Sequence, residues 1–250
     1  MPRGQVHRHF YKSAVAGDER DFYVYTPPGY DPASHRRYPV LYLLHGYSDD
    51  ASAWVSVGCA NVILDNLIAR HEARPMLVVM PLGYGTMDIV RAGWQRGRGR
   101  DLRERNMNGF RQALLTEVIP QVEKAYRVKT DRASRAIAGL SMGGAEALDT
   151  GLNTPEKFAW VGAFSAGGGG TNFDAQFPKL GPASNGQLRL LWIACGKEDG
   201  LFSPNQKLSE WLDAKGVKHT WVESAGAHSF RVWRRYLAQF TPLLFSDNTR

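Results

Sequence analysis

The stretch that most constrains the fold is Ala136-Ile-Ala-Gly-Leu-Ser-Met-Gly-Gly144. Arg135 to Ala138 is short, apolar and suited to a strand. Gly139 to Gly143 is a turn, and Ala145 to Leu152 carries apolar residues at helical spacing. Strand, sharp turn and helix in immediate succession mark the junction between a sheet and a helix packed on it. A serine on such a turn is held in strained backbone geometry with its hydroxyl directed over the sheet edge. Flanking glycines let strand and helix close on each other. Ser141 is therefore a candidate nucleophile, and the Met142 amide at the helix start is a candidate oxyanion donor. Without that context the same five residues would be only a glycine-rich turn with an idle hydroxyl.

A serine hydroxyl attacks only when a base takes its proton. On turns of this kind the partners follow the serine in the order acid, then histidine. Of the seven histidines only His219 and His228 follow Ser141. His219 lies in Val217-Lys-His-Thr-Trp-Val222, which reads as a strand, so a structural role is expected for it. His228 lies in the loop Gly226-Ala-His-Ser229 before a helix and is the candidate base. The apolar run Leu188 to Cys195 predicts a strand whose C-terminal loop, Gly196-Lys-Glu-Asp-Gly200, offers two acids. Asp199 is preferred because it precedes Gly200 at the turn, and Glu198 is the alternative. An acid there would orient the His228 ring and stabilise its imidazolium. Glu146, Asp149, Glu156, Asp174, Glu210, Asp213 and Glu223 are expected to be solvated charges.

The rest of the chain alternates strands with helices. Val6 to Ser13 and Arg20 to Tyr25 flank the Gly17 turn and predict an N-terminal hairpin. Tyr38 to Leu44 and Pro75 to Met80 are continuous apolar runs, as expected of strands buried on both faces. His45-Gly-Tyr-Ser48 follows the first run, which makes the Tyr47 amide the second candidate oxyanion donor and His45 a brace for its loop. Helices are predicted over Ser56–Arg70, Gly109–Tyr126 with an end or kink at Pro120, Pro204–Lys215 and Arg231–Phe240. Pro81 to Asn108 reads as a long loop carrying Trp94 and Arg91, Arg96, Arg98, Arg100, Arg103 and Arg105. Loops that follow parallel strands lie on the ligand side of an open sheet. This one is expected either to attract an acidic polymer or to be solvated surface. Ser165 to Gly170 holds four consecutive glycines, read as backbone packed near the site or as a flexible link.

The whole of residues 1–250 reads as one α/β catalytic domain, a mostly parallel twisted sheet covered by helices on both faces. With 43% hydrophobic and 22% charged residues, a disordered or fibrous chain is excluded. The N-terminus has basic residues but no apolar core, so it is not an export signal. The expected location is secreted or periplasmic if such a signal has been removed, and otherwise cytoplasmic. No apolar stretch is long enough to span a bilayer. Cys59 and Cys195 form no disulfide framework and lack metal-ligand spacing, so both are expected to be buried small side chains. No metal or cofactor is expected. The net charge of +7 comes without a nucleic-acid motif and is read as solubilising surface charge, an anionic partner being the alternative.

Six motifs together resemble the esterase D-like branch of the α/β hydrolases, and within it the carbohydrate esterases that include feruloyl and acetyl xylan esterases. They are Tyr25-Thr-Pro-Pro-Gly-Tyr30, Leu43-Leu-His-Gly46, Met80-Pro-Leu-Gly83, Gly139-Leu-Ser-Met-Gly-Gly144, Cys195-Gly-Lys-Glu-Asp199 and Gly226-Ala-His-Ser-Phe-Arg-Val-Trp233. The resemblance runs from about Arg20 to Trp233. It implies the α/β-hydrolase fold, a Ser141–His228–Asp199 triad, and no cofactor. The family often has Trp two residues after the catalytic histidine, where this chain has Phe230. The implied activity is hydrolysis of acyl esters on plant cell-wall polysaccharide, feruloyl-type hydroxycinnamoyl first and acetyl second. Transfer of the acyl group to a sugar and thioester or siderophore hydrolysis are the alternatives. Trp54, Trp94 and Phe230, with Tyr47, are expected to form an aromatic substrate pocket. The expected partner is a polysaccharide-linked or small ester, with no nucleic acid and no membrane.

Overall fold

The computed structural model describes residues 2–93, 99–168, 170 and 172–246. Eight strands form one sheet in the order β1-β2-β4-β3-β5-β6-β7-β8. They are β1 (Gln5–Lys12), β2 (Glu19–Thr26), β3 (Val40–Leu44), β4 (Leu77–Pro81), β5 (Arg135–Leu140), β6 (Trp160–Phe164), β7 (Leu190–Gly196) and β8 (Thr220–Ser224). The hairpin β1–β2 is antiparallel, β2 pairs antiparallel with β4, and every pairing from β4 to β8 is parallel.

Successive strand side chains point to opposite faces, and here each face has its own core. Val40, Tyr42 and Leu44 of β3 pack with Phe110, Val118, Leu148 and Leu208. Leu41 and Leu43 pack on the other face with Leu64, Trp233, Leu237 and Phe240. The helices Arg100–Ala113, Met142–Asn153 and Phe202–Ala214 cover the first face, and Ala60–Ala69 and Phe230–Phe240 the second. Burial on both faces explains why β3, β4, β5 and β6 read as unbroken apolar runs, whereas the edge strand β1 is only half-buried.

Three elements depart from the sequence expectation. The helix expected over Ser56–Arg70 is two helices, Ala53–Ser56 and Ala60–Ala69. Between them Cys59 takes a left-handed conformation, and Gly58 lies so close to Trp54 that a Cβ there would sit 2.5 Å from the indole ring. The long loop after β4 is shorter than expected, since Asp88–Arg91 and Arg100–Ala113 are helical. The arginines at 100–105 favour helix, a preference masked by their charge and the glycines before them. Finally, Pro120 neither ends nor breaks its helix. A π-helical stretch, Leu114–Val118, runs directly into the helix Ile119–Ala125, and its wider turn lies just before Pro120, the second residue of that helix.

Candidate active site

The C-terminal ends of β5, β7 and β8 converge on one cleft. Ser141 caps β5 with φ 52° and ψ −118°, outside the regions an L-residue ordinarily prefers. Its backbone is fixed on both sides: Ser141 N–H donates to Phe164 O at 2.9 Å, and Ser141 O accepts from Gly167 N–H at 2.9 Å. The glycines permit this turn sterically. A Cβ on Gly139 would lie 2.4 Å from Gly143 O, and one on Gly143 would lie 2.3 Å from His45 O. Strand β5, the helix Met142–Asn153 and the loop after β3 thus meet at backbone distance.

His228 stands between Ser141 and Asp199. Its Nε2 is 3.0 Å from Ser141 Oγ, and its Nδ1 is 2.8 Å from Asp199 Oδ2. A carboxylate only accepts, so Nδ1 carries the proton and Nε2 is left to accept from the serine hydroxyl. Asp199 is buried at 5% exposure. Burial alone would raise its carboxyl, but hydrogen bonds from His228, the Leu201 amide and Ser165 outweigh that and hold it below the ordinary carboxylate range. Glu198 is turned away and accepts from the Gly226 amide. His219 bonds Ser209 Oγ at 2.6 Å and Val217 O at 3.0 Å, a bracing role as its setting implied.

The loop after β3 is held by an internal network. His45 is buried; its Nδ1 donates to Gly46 O at 2.8 Å and its Nε2 accepts from Gly83 N–H at 2.8 Å. Burial pushes its pKa down to about 4. Tyr84 accepts from Ser48 N–H at 2.8 Å and donates to Asp49 O at 3.1 Å. Tyr47 lies between these anchors and lines the cleft, as does Met142, the first residue of its helix. The first amides of a helix lack intrahelical acceptors, so the Met142 N–H is directed outward at the turn.

The cleft encloses about 550 Å³. Beside Ser141 and His228 it is walled by Ile89, Met107, Met142 and Leu201, with Gly167 and Gly168 on one side and Arg103 and Asn106 on another. Gly167 and Gly168 of the glycine run therefore lie at the site, and a Cβ on Gly167 would lie 2.5 Å from Leu201. Of the expected aromatic pocket, Tyr47 lines the cleft, whereas Trp54 and Phe230 do not. Trp54 is 1% exposed, donates to Leu44 O at 2.9 Å, and packs edge-on against Phe164 and Phe230. Phe230 joins that second-face core rather than the cleft wall. Trp54 is a core aromatic and Phe230 a half-buried one packed on it, because the two helices bearing them close over the sheet. Trp94, Arg96 and Arg98 lie outside the described residues.

Several contributors carry no sequence signal. Ser165, buried and at φ 50°, accepts from Trp233 Nε1 at 3.1 Å and bonds Asp199, so it props the acid from behind. Asn106 accepts from the Gly85 and Thr86 amides at 2.9 and 3.3 Å and donates to Glu146 Oε1 at 3.1 Å. Glu146 and Asp149 are buried, not solvated as expected. Burial holds the Glu146 carboxyl well above the ordinary range, while Asp149 pairs with Arg111 at 2.9 Å. Only the G-x-S-x-G spacing around Ser141 pointed toward this region; the helix face bearing Glu146 does not distinguish a buried acid from an exposed one.

The family model "Esterase" ("Putative esterase") matches residues 13–244. An endo-1,4-beta-xylanase/feruloyl esterase of Xylanibacter ruminicola is 33% identical over 248 residues, which is 97% of this chain. Those residues are 31% of that protein, so the chain spans under a third of its relative's length. A solved structure named ferulic acid esterase superposes with a TM-score of 0.81 at 27% identity, covering 98% of this chain and 100% of that one. A CE1 ferulic acid esterase of Anaeromyces mucronatus has a TM-score of 0.83 at 23% identity, over 98% and 92% of the two chains, a likeness of fold. With the sheet order and helix layers above, these matches show that the chain has the α/β-hydrolase fold and belongs to the Esterase family.

Proposed function

We propose that this chain is a serine esterase that hydrolyses feruloyl-type hydroxycinnamoyl esters on plant cell-wall polysaccharide such as xylan. The observation that carries the reading is the hydrogen-bonded chain from Asp199 through His228 to Ser141 at the floor of an apolar cleft. In the proposed mechanism Ser141 Oγ attacks the ester carbonyl while His228 Nε2 takes its proton. Asp199 keeps the imidazole in the accepting tautomer and stabilises it once charged. The Met142 and Tyr47 amides face the carbonyl oxygen as it becomes negative. His228 then returns the proton to the departing alcohol, and a water activated by the same imidazole releases the acid.

The acyl assignment rests on cleft size and lining together with the likeness to feruloyl esterases. A planar phenylpropenoyl group fills a cleft of about 550 Å³ lined by Ile89, Met107, Met142 and Leu201 far better than acetyl does. Apolar contact with the acyl group near the reacting carbonyl favours ferulate over acetate in kcat/KM. The test is kcat/KM for methyl ferulate against methyl acetate, in wild type and in Ser141→Ala. Preference for ferulate, with kcat lower by at least about a thousandfold in the variant, is expected. Preference for acetate would sink the feruloyl assignment. Full activity in Ser141→Ala would sink the serine mechanism.

A further inference from the structure

Five basic side chains meet at a second cleft. This cleft encloses about 440 Å³ and is lined by Arg36, Arg37, Arg74, Lys129 and Arg189, with no aspartate or glutamate among its described lining residues. It lies at the N-terminal ends of the parallel strands. Arg36 and Arg37 precede β3, Arg74 precedes β4, Lys129 precedes β5, and Arg189 precedes β7. Ser141 follows the other end of β5, six residues long, so the two clefts are roughly 20 Å apart at about 3.3 Å per strand residue.

The segments that carry these cations are fixed by backbone hydrogen bonds. Tyr38 N–H donates to Arg127 O at 2.9 Å, Lys129 N–H to Tyr38 O at 2.8 Å, Leu77 N–H to Pro39 O at 3.0 Å, and Arg189 N–H to Ala159 O at 2.8 Å. The backbone that carries the cations is therefore held in place before any ligand arrives. Among the described residues Arg36, Arg37, Lys129 and Arg189 form no ion pair. Arg37 uses one donor on Val128 O at 3.1 Å, and a guanidinium has five. Arg36 lies over the Tyr38 ring at 4.7 Å and Arg189 over Trp160 at 6.0 Å, contacts that leave the in-plane N–H groups available. Like charges gathered around one concavity repel, and an anion seated among them relieves that repulsion.

We infer that this cleft is an anion-binding site distinct from the hydrolytic cleft, and that its ligand is a small polyanion with two or more negative charges on phosphoryl or carboxylate oxygens. A single negative charge would balance only one of Arg36, Arg37, Lys129 and Arg189. The volume falls within the range of small-molecule pockets, about 300–1,000 Å³. Guanidinium forks match both kinds of oxygen, so the site chemistry is shared between phosphates and polycarboxylates.

The test is calorimetric titration of the full chain with pyrophosphate and, separately, with citrate, at low and at high salt. One saturable site is expected, weaker at high salt because the lining side chains are exposed. The anion that binds more tightly identifies the phosphoryl or the carboxylate class. The double variant Lys129→Gln/Arg189→Gln should weaken binding at least about tenfold, and Lys129→Arg/Arg189→Lys should keep it within about threefold. Saturating anion should leave the hydrolysis of a neutral aryl ester unchanged. Absence of saturable binding by either anion would overturn the inference, as would wild-type affinity in the double glutamine variant. Competitive inhibition of hydrolysis that vanishes in Arg103→Gln would also overturn it, by moving the anion to the hydrolytic cleft.

Discussion

At the residue scale, two neighbouring acids separate cleanly. Asp199 is buried against His228, while Glu198 bonds a backbone amide at the surface. Asp199→Asn should therefore lower kcat by about 10⁴, because the asparagine favours the wrong His228 tautomer, and Glu198→Gln should change kcat little. Steady-state rates on one ester decide it, and the reverse ranking would transfer the orienting role to Glu198. His45 gives a prediction on stability. Its pKa is lowered by burial from 6.5 to about 4. Between those values the unfolded chain binds a proton that the folded chain refuses, so stability is full above pH 6.5 and falls as pH drops toward 4. The loss attributable to His45 is on the order of 3 kcal/mol. Thermal unfolding followed across that window should show a steeper fall in wild type than in His45→Gln. Equal slopes would mean that His45 does not titrate there.

At the scale of the element, the strand–turn–helix unit depends on backbone contact that no side chain tolerates. Gly139→Ala places a methyl 2.4 Å from Gly143 O, and Gly143→Ala places one 2.3 Å from His45 O, with neither neighbour free to withdraw. Each variant should lose about 2–3 kcal/mol of stability, seen as a fall in Tm of roughly 5–10 °C. Gly181→Ala is the control. Gly181 has extended backbone and nothing within 4 Å of the added methyl, so its Tm should hold. Unchanged Tm in all three variants would show that the turn can relax. The three-residue break at Val57, Gly58 and Cys59 belongs to the same scale. It lets Trp54 drop into the core beneath Phe164 and Phe230, which removes the indole from the substrate cleft.

At the scale of the whole molecule, a net charge of +7 acts over distances that single pairs do not. Arg103 lines the cleft at Ser141, and Arg91 and Arg105 stand on Asp88 at 3.4 and 3.7 Å. Association with an acidic feruloylated polymer should therefore slow as salt rises from about 0.01 to about 0.3 M, since the screening length falls from roughly 30 Å to under 10 Å. Hydrolysis of methyl ferulate, which is neutral, should hold over the same range. Parallel salt dependence for both substrates would leave the arginines as solvated surface.

The parallel sheet was legible in the chain because strands buried on both faces must be apolar throughout, and Val40–Leu44, Leu77–Pro81 and Trp160–Phe164 are. The reactive turn was legible too, because glycines at 139 and 143 around a serine answer a purely local steric demand. The order of residues along the chain left His219 and His228, and the loop setting favoured His228, the one that lies beside Ser141 Oγ. What the chain left open was settled by contacts between distant segments. Trp54 and Phe230 read as pocket aromatics, and only the helices that close over the second face turn them into that core. Glu146 read as a surface charge, since helical spacing reports which face a residue is on but not what covers that face. Ser165 and Asn106 gave no sign of their roles, and five cations scattered from Arg36 to Arg189 meet only because parallel strands begin side by side. Local sterics and periodicity are written in neighbouring residues. Burial and convergence belong to the packed molecule, because they depend on partners far away in the chain.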